Sequence, residues 1–232
     1  PDVSAWTTAQ WFLLFVMASS LAYSVLAWAL VPPLVWDEVS YHLPMAQIFI
    51  DAGGLVNIPT MVHSNWPAGM EMLNALALLM GSERLPHLIV TAMTVLTALA
   101  LARFARRQCD RATAWLAAAL YLSMPLVQSL AGVAIVEGAL GFYGFVAIWA
   151  GYVWLESRAW QDLIVAGLLG GLAASIKLTG AAVPIAVALV GLVWLLLNYR
   201  IDLRRTLLQM MVYAVVSLAV VAPWYIRSFL NT

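Results

Sequence analysis

The sequence predicts an all-α protein that crosses a membrane several times. Of its 232 residues 64% are hydrophobic and 9% are charged, with a mean hydropathy of +0.93. Soluble domains carry roughly 25% charged residues. Eleven Lys and Arg balance eleven Asp and Glu, so no net charge indicates a nucleic acid partner. These observations exclude a soluble domain and favour a polytopic helical bundle with lipid as its solvent.

Seven runs without charged residues are the predicted crossings. About 20 helical residues, rising ~1.5 Å each, cross a ~30 Å hydrocarbon layer. One run, Leu163–Ile176, is too short unless the helix extends into its flanks. The seven runs are Trp11–Val31, Leu85–Ala102, Ala112–Val136, Gly138–Leu155, Leu163–Ile176, Leu178–Tyr199 and Thr206–Ile226.

One further apolar stretch, Trp66–Met80, is not predicted to cross. It is short for a span, and it contains Pro67, Glu71 and Asn74. We expect an interfacial or re-entrant helix there.

Arginine placement predicts the orientation. Four Arg crowd the segment 103–111 and three crowd the segment 200–205, whereas Pro32–Asn65 contains no Lys or Arg. By the positive-inside rule the two Arg-rich loops are cytoplasmic and Pro32–Asn65 is outside, which predicts an amino terminus inside. With seven crossings and this orientation, several ionisable residues lie at or near the outer face: Asp37, Glu38, His63, Glu137, Lys177 and Arg227.

The segment after the first run is predicted to form a helix on the outer surface. Pro32 and Pro33 end the first span, and the carboxylate of Asp37 can cap a new helix with Glu38 in its first turn. In the alternative, Asp37 is only a cap and Glu38 only a partner of the helix dipole. Pro44 should bend this helix. An apolar stripe and a terminating glycine pair complete the pattern: Val39, Leu43, Ala46, Ile50, Gly53 and Gly54.

Three more charged residues interrupt apolar sequence. A carboxylate held near lipid costs ~2.5–3.5 kcal/mol at the centre of a membrane helix and less at the interface, so Glu137 is expected to line a cavity or bind a ligand. Lys177 is the only lysine of the chain. A lipid phosphate or an acidic side chain would satisfy it, and the same holds for Arg227. The alternative for all three is a side chain that reaches the interface without a function.

Other candidate features are weaker. The spacing of His42, His63 and His87 gives no metal signature, although His63 could join Asp37 and Glu38 around a divalent ion or a sugar. A solvated loop histidine is the alternative. Cys109 allows no internal disulfide. The glycines at 167 and 171 have the spacing that lets membrane helices pack closely.

These motifs together resemble the GT-C membrane glycosyltransferases, particularly the bacterial branch related to aminoarabinose transferases and protein O-mannosyltransferases. The resemblance extends from about Trp11 to Thr232. The motifs are Pro-Pro-x-x-Trp-Asp-Glu-x-x-Tyr-His-Leu-Pro from Pro32, Ser-Asn-Trp-Pro from Ser64, Ser-Ile-Lys-Leu-Thr-Gly from Ser175, and Ala-Pro-Trp-Tyr-Ile-Arg from Ala222.

The resemblance implies transfer of a sugar from a polyprenyl-phosphate carrier on the outer side of the membrane. It makes Asp37 the acid of the first outer loop, with Glu38 beside it, and places Glu137 where a second acid, commonly Asp, is expected. It places Lys177 where a cation meets the lipid-linked phosphate. Further substrate-binding candidates are Arg227, Tyr41, His42 and His63, and a divalent metal ion is a possible cofactor.

We therefore expect one transmembrane domain over residues 1–232, with residues 32–84 as the first external loop. The expected location is a bacterial inner membrane, and the partners are membrane lipid, a lipid-linked sugar and other integral-membrane subunits. Relatives usually continue through further helices beyond the position of Thr232, so acceptor recognition is expected to be absent from this sequence. Two alternatives stay open: a catalytically silent packing subunit of a larger complex, and a transporter fragment.

Overall fold

The computed structural model describes residues 7–197 and 202–231, and within them all regular structure is helical. The prediction of an all-α membrane protein is confirmed. The α-helices are α1 (Thr8–Ser24), α2 (Leu43–Asp51), α3 (Gly69–Leu79), α4 (Leu85–Gln108), α5 (Arg111–Ser123), α6 (Pro125–Leu130), α7 (Glu137–Ser157), α8 (Trp160–Ile176), α9 (Ala182–Leu197) and α10 (Leu203–Asn231).

Within the part of the chain that the structure describes, five helical segments are long and apolar enough to cross a membrane. Each corresponds to one of the seven predicted crossings. α3 and α8 are shorter apolar helices. α8 begins three residues before the predicted run, but its 17 residues span only about 26 Å at ~1.5 Å per residue. The five segments are Thr8–Ala29, Leu85–Gln108, Glu137–Ser157, Leu178–Leu197 and Arg204–Asn231.

The predicted continuous span Ala112–Val136 is wrong. α5 ends at Ser123, and Met124 adopts an extended conformation with φ −63° and ψ 126°. Pro125 causes this, because a proline ring excludes the α conformation from the residue before it. The short helix α6 follows, and the chain then runs without regular helix through 131–136.

The chain divides into two compact units. Unit 1 comprises residues 1–47 and 73–138, and unit 2 comprises residues 48–72 and 139–232. In unit 1, α4 and α1 both pack against α5. Gly132 fits against α1, since a Cβ there would lie 2.7 Å from the backbone oxygen of Ser24.

Unit 2 is built around the packing of α8 on α10. A Cβ at Gly171 would lie 2.7 Å from the oxygen of Ser217, and one at Gly167 would lie 3.0 Å from the side chain of Val216. The predicted role of these two glycines in helix packing is confirmed. A buried apolar cluster stabilises the same unit: Trp154, Leu163, Ala166, Leu195 and Tyr213.

Candidate functional site

Asp37 and Glu38, the two candidate acids of the first loop, lie at a widened helical turn. Glu38–His42 forms a π-helix that leads directly into α2. Pro44 has no N–H and cannot bond to Ser40 as an α-helix requires, which favours a wider turn at this point. Asp37 precedes the π-helix in helical conformation, is exposed, and makes no capping hydrogen bond with its side chain. The predicted cap is therefore wrong.

The buried face of this helical segment differs from the predicted apolar stripe. Glu38 is 1% exposed and His42 is 3% exposed, whereas Val39 is 44% exposed. Met45 and Ala46 continue the buried face. The wider π turn shifts the helical phase, so Glu38 and His42 lie in the interior and Val39, which was predicted in the apolar stripe, is exposed.

Glu38 accepts backbone hydrogen bonds from two parts of unit 1 and contacts a histidine ring from a third. Its Oε1 accepts from the N–H of Ala134 at 2.8 Å, and its Oε2 accepts from the N–H of Leu34 at 3.2 Å. His87 Nε2 lies 2.5 Å from Oε1. The carboxylate thus fixes the start of the first loop and the buried segment 131–136.

These contacts also set the acidity of Glu38. Burial raises the pKa of the carboxyl group, but the contacts with His87 and with the N–H groups of Ala134 and Leu34 lower it further, so the pKa lies below its ordinary value. Glu38 therefore stays charged in the folded protein at neutral pH. A carboxylate with these contacts is suited to holding its neighbours in position.

His87 is a site residue that the sequence analysis did not assign. It lies in the first turn of α4, directly after Pro86, and is 1% exposed. Its carbonyl oxygen accepts from the hydroxyl of Thr91, which also donates to the oxygen of Ala131 at 2.8 Å. No spacing pattern links His87 to Glu38, and only folding brings them together.

The remaining candidates of unit 1 are Tyr41, His42 and Glu137. The rings of Tyr41 and His42 lie 4.2 Å apart. Glu137 begins α7 and is half-buried. Next to it, a Cβ on Gly138 would lie 2.6 Å from Val90 Cγ1, so the start of α7 packs closely on α4.

Arg227 is held by backbone contacts within unit 2. Its Nη2 donates to the carbonyl oxygen of Trp66 at 3.1 Å and to that of Ser64. Asn231, one turn later on α10, donates to Asn65 at 3.3 Å. The end of α10 therefore holds the turn that carries His63, whose ring lies edge-on to Trp66 at 4.6 Å.

Part of the Arg227 guanidinium is not used by these contacts. Its Nε and Nη1 are buried and have no hydrogen-bond partner among the described residues. Phe49 and Trp224 lie with their ring centroids 5.8 Å from Cζ, a distance that permits cation–π attraction. The charge of the buried Glu71 carboxylate acts on this guanidinium. Buried guanidinium nitrogens without hydrogen bonds are costly, and an anionic ligand would supply the missing bonds.

Lys177 lies at the break between α8 and a short 3₁₀ turn, Leu178–Ala181. It is half-buried and extended, with φ −152° and ψ 148°. The break is tightly packed, because a Cβ on Gly180 would overlap the carbonyl oxygen of Ala173. The backbone therefore presents Lys177 at one defined position.

An apolar cleft of about 540 Å³ lies in unit 2 between α8, α9 and α10. Ala174 and Ala181, on either side of Lys177 in sequence, contribute to its wall. Ile226, which precedes Arg227, lines it as well. The other lining residues are Pro184, Ile185, Ala188, Tyr213, Ala214, Ser217, Leu218, Val221, Ala222 and Tyr225.

The candidates thus divide between the two units. Unit 1 holds Asp37, Glu38, Tyr41, His42 and Glu137, and unit 2 holds the rest: His63, Lys177 and Arg227. The hypothesis that acids and cations share one outward pocket stays a prediction. Among the described residues no group of three or more His, Cys, Asp and Glu is arranged to hold a metal ion.

The family model described as dolichyl-phosphate-mannose-protein mannosyltransferase matches residues 67–226. This range includes Glu137 and Lys177, ends one residue before Arg227, and begins after Asp37 and Glu38. No curated protein and no solved structure matches the chain.

Proposed function

Because the chain belongs to the dolichyl-phosphate-mannose-protein mannosyltransferase family, a family of GT-C membrane glycosyltransferases, we propose that it transfers a sugar from a polyprenyl-phosphate carrier. The acceptor is a hydroxyl group on the extracytoplasmic side. The observation that carries this proposal is the position of Arg227, which directly follows two residues that line the apolar cleft of unit 2. The cleft suits an isoprenoid chain, and the free guanidinium nitrogens suit its phosphate.

The lipid tail explains how a donor reaches this part of the protein. Tyr225 and Ile226 line the cleft, and Arg227 follows them directly on α10. A carrier that enters laterally from the bilayer would leave its phosphate near the end of the helix, where a guanidinium forms charge-assisted hydrogen bonds. Lys177 supplies a second positive charge beside the same cleft wall. This donor chemistry requires no nucleotide-binding loop.

The proposed reaction is a displacement at the anomeric carbon. The acceptor oxygen forms a bond to that carbon as the bond to the phosphate oxygen breaks, and the acceptor proton passes to a carboxylate. Asp37 is the proposed base, since its side chain is exposed and makes no cap. Arg227 and Lys177 stabilise the negative charge that develops on the departing phosphate.

Glu38 and Glu137 have different proposed roles. Glu38 is a positioning residue, because both of its oxygens accept backbone hydrogen bonds. Glu137 begins α7 and is proposed to contact the acceptor or the sugar. Tyr41, His42 and His63 are proposed to contact the substrate around these charged groups.

The orientation is also part of the proposal. Arg103, Arg106, Arg107 and Arg111 mark the cytoplasmic side by the positive-inside rule. The proposed orientation has the amino terminus inside and the first loop outside, and the proposed location is a bacterial inner membrane. Cysteine labelling at Trp36, which is 79% exposed, would report the side of the loop to a membrane-impermeant thiol reagent.

A second candidate is a packing subunit that has lost catalysis. The contacts of Glu38 favour it, since one of the two adjacent acids serves the backbone, and the family match does not include the acid pair. In that case the protein would associate with other integral-membrane subunits and bind lipid-linked sugar without turning it over.

The test is transfer from labelled donors by the reconstituted chain. Polyprenyl-phosphate mannose with a radiolabelled sugar is incubated with the wild type and with Asp37→Asn. General-base catalysis contributes roughly 10²–10⁴-fold, so we expect a loss of that size. Glu83→Gln is the matched control, because Glu83 is an exposed carboxylate in another loop of unit 1. Donor binding without turnover by the wild type would contradict the enzyme and support the packing subunit.

A further inference from the structure

A cleft of about 670 Å³ in unit 1 combines arginines with an apolar wall. Arg103, Arg106 and Arg111 line one part of it. Met17 from α1 and Ala114 from α5 contribute to the apolar part. The cleft belongs neither to the acidic loop nor to the cation site of unit 2, so the proposed transferase chemistry gives it no role.

The helical connection explains why the arginines meet. Arg103 and Arg106 are one turn apart near the end of α4, and Arg111 is the first residue of α5. Only Cys109 and Asp110 separate the two helices. Ala114 and Ala118, one turn apart on α5 and each 7% exposed, leave open the volume that larger side chains would fill.

Among the described residues, the three guanidinium groups have no anionic partner. Among residues 7–197 and 202–231, none of their side chains takes part in a hydrogen bond or ion pair. The nearest acid in sequence is Asp110, whose carboxylate accepts from the N–H of Thr113 at 2.7 Å. That contact lowers the pKa of Asp110 and occupies it as the cap of α5.

We propose that this cleft binds an anionic phospholipid. The phosphate is held by Arg103, Arg106 and Arg111, and an acyl chain lies along the wall formed by Met17, Ala114 and Ala118. Guanidinium groups match phosphate oxygens in geometry and charge. Basic residues beside a membrane helix attract anionic lipids, and the apolar wall selects a phosphate that carries a hydrocarbon chain over free phosphate.

The test is lipid retention by the chain in detergent, measured by native mass spectrometry with phosphatidylglycerol. Each arginine near a membrane surface contributes about fivefold to lipid affinity. We expect about fivefold weaker binding for Arg106→Gln, and a loss of more than tenfold for the variant with all three arginines changed to Gln. Arg204→Gln, an exposed arginine at the start of α10, is the matched control and should bind as the wild type does.

Two further experiments distinguish binding of the lipid in the cleft from its attraction to surface charge in general. Ala118→Phe keeps every charge but fills the cleft, and it should weaken phosphatidylglycerol binding while circular dichroism stays unchanged. Phosphatidylcholine and millimolar inorganic phosphate should not compete. Equal losses in Arg204→Gln and Arg106→Gln, unchanged binding by Ala118→Phe, or competition by inorganic phosphate would each overturn the proposal. Because lipid retention needs no sugar donor, these outcomes are independent of the transferase test.

Discussion

The carboxylate of Glu38 lies 2.5 Å from Nε2 of His87, at a site where both residues are almost completely buried. The pair joins the first loop to the start of α4, and the N–H of Ala134 adds the buried segment after α6. Irregular backbone inside a membrane protein must have its hydrogen bonds satisfied by the protein itself. Glu38 meets that requirement for Ala134 and Leu34.

We expect Glu38→Gln to destabilise the protein by about 1–3 kcal/mol. The amide keeps the shape of the side chain but turns an NH₂ group towards a backbone N–H donor. Thermal unfolding in detergent measures the change. Glu83→Gln controls for loss of a surface carboxylate, and a melting temperature equal to that of the wild type for Glu38→Gln would contradict the assigned role.

Stability should also depend on pH through Glu38. Its pKa is lowered on folding from an ordinary value of 4.5. The folded state therefore binds the proton more weakly than the unfolded state. The stability that Glu38 contributes is fully present above its ordinary pKa, and it is lost as the pH falls through the lowered pKa. We expect the melting temperature of the wild type to fall more steeply below pH 4.5 than that of Glu38→Gln, and parallel curves would refute this.

Close helix packing in unit 2 gives a steric prediction. Gly171→Ala would place a Cβ 2.7 Å from the oxygen of Ser217 on α10, and such overpacking costs typically ~1–3 kcal/mol. Gly141→Ala on α7 is the matched control, because nothing lies within 4 Å of the position that a Cβ would occupy. The first variant should unfold at a lower temperature and the second at the same or a higher one. The reverse order would show that α8 and α10 pack differently.

Runs without charged residues predicted the positions of the membrane helices well, but they did not predict where a helix ends inside such a run. The run Leu85–Ala102, which forms most of α4, was found from composition because burial in lipid demands apolar residues over about 20 positions. The end of α5 was missed because proline is uncharged and does not interrupt such a run. Met124-Pro125 carried the necessary signal, since the residue before a proline avoids the α conformation.

The site was partly accessible to sequence analysis. Asp37, Glu38 and Arg227 stood out because charge is rare in this chain. Their contacts could not be predicted, since His87 pairs with Glu38 and Trp66 accepts from Arg227 only through tertiary structure. The π turn before Pro44 also moved the buried face away from the stripe that regular helical spacing indicates.

The last prediction concerns Arg227→Lys. Lysine keeps the positive charge but is a point donor, so it cannot bond to the oxygens of Ser64 and Trp66 and also offer two further nitrogens to a phosphate. If Arg227 holds the donor phosphate, the KM for polyprenyl-phosphate mannose should rise about tenfold, the effect of roughly one lost charge-assisted hydrogen bond.

Arg204→Lys is the matched control for this substitution, because Arg204 is exposed at the other end of α10. Asp37→Asn supplies the contrast, since loss of a base lowers kcat with little change in KM when binding is intact. An unchanged KM in Arg227→Lys, together with a lower melting temperature, would show that Arg227 only anchors the turn around Ser64. The phosphate would then have to be held by Lys177, and Lys177→Gln should raise the KM in place of Arg227→Lys.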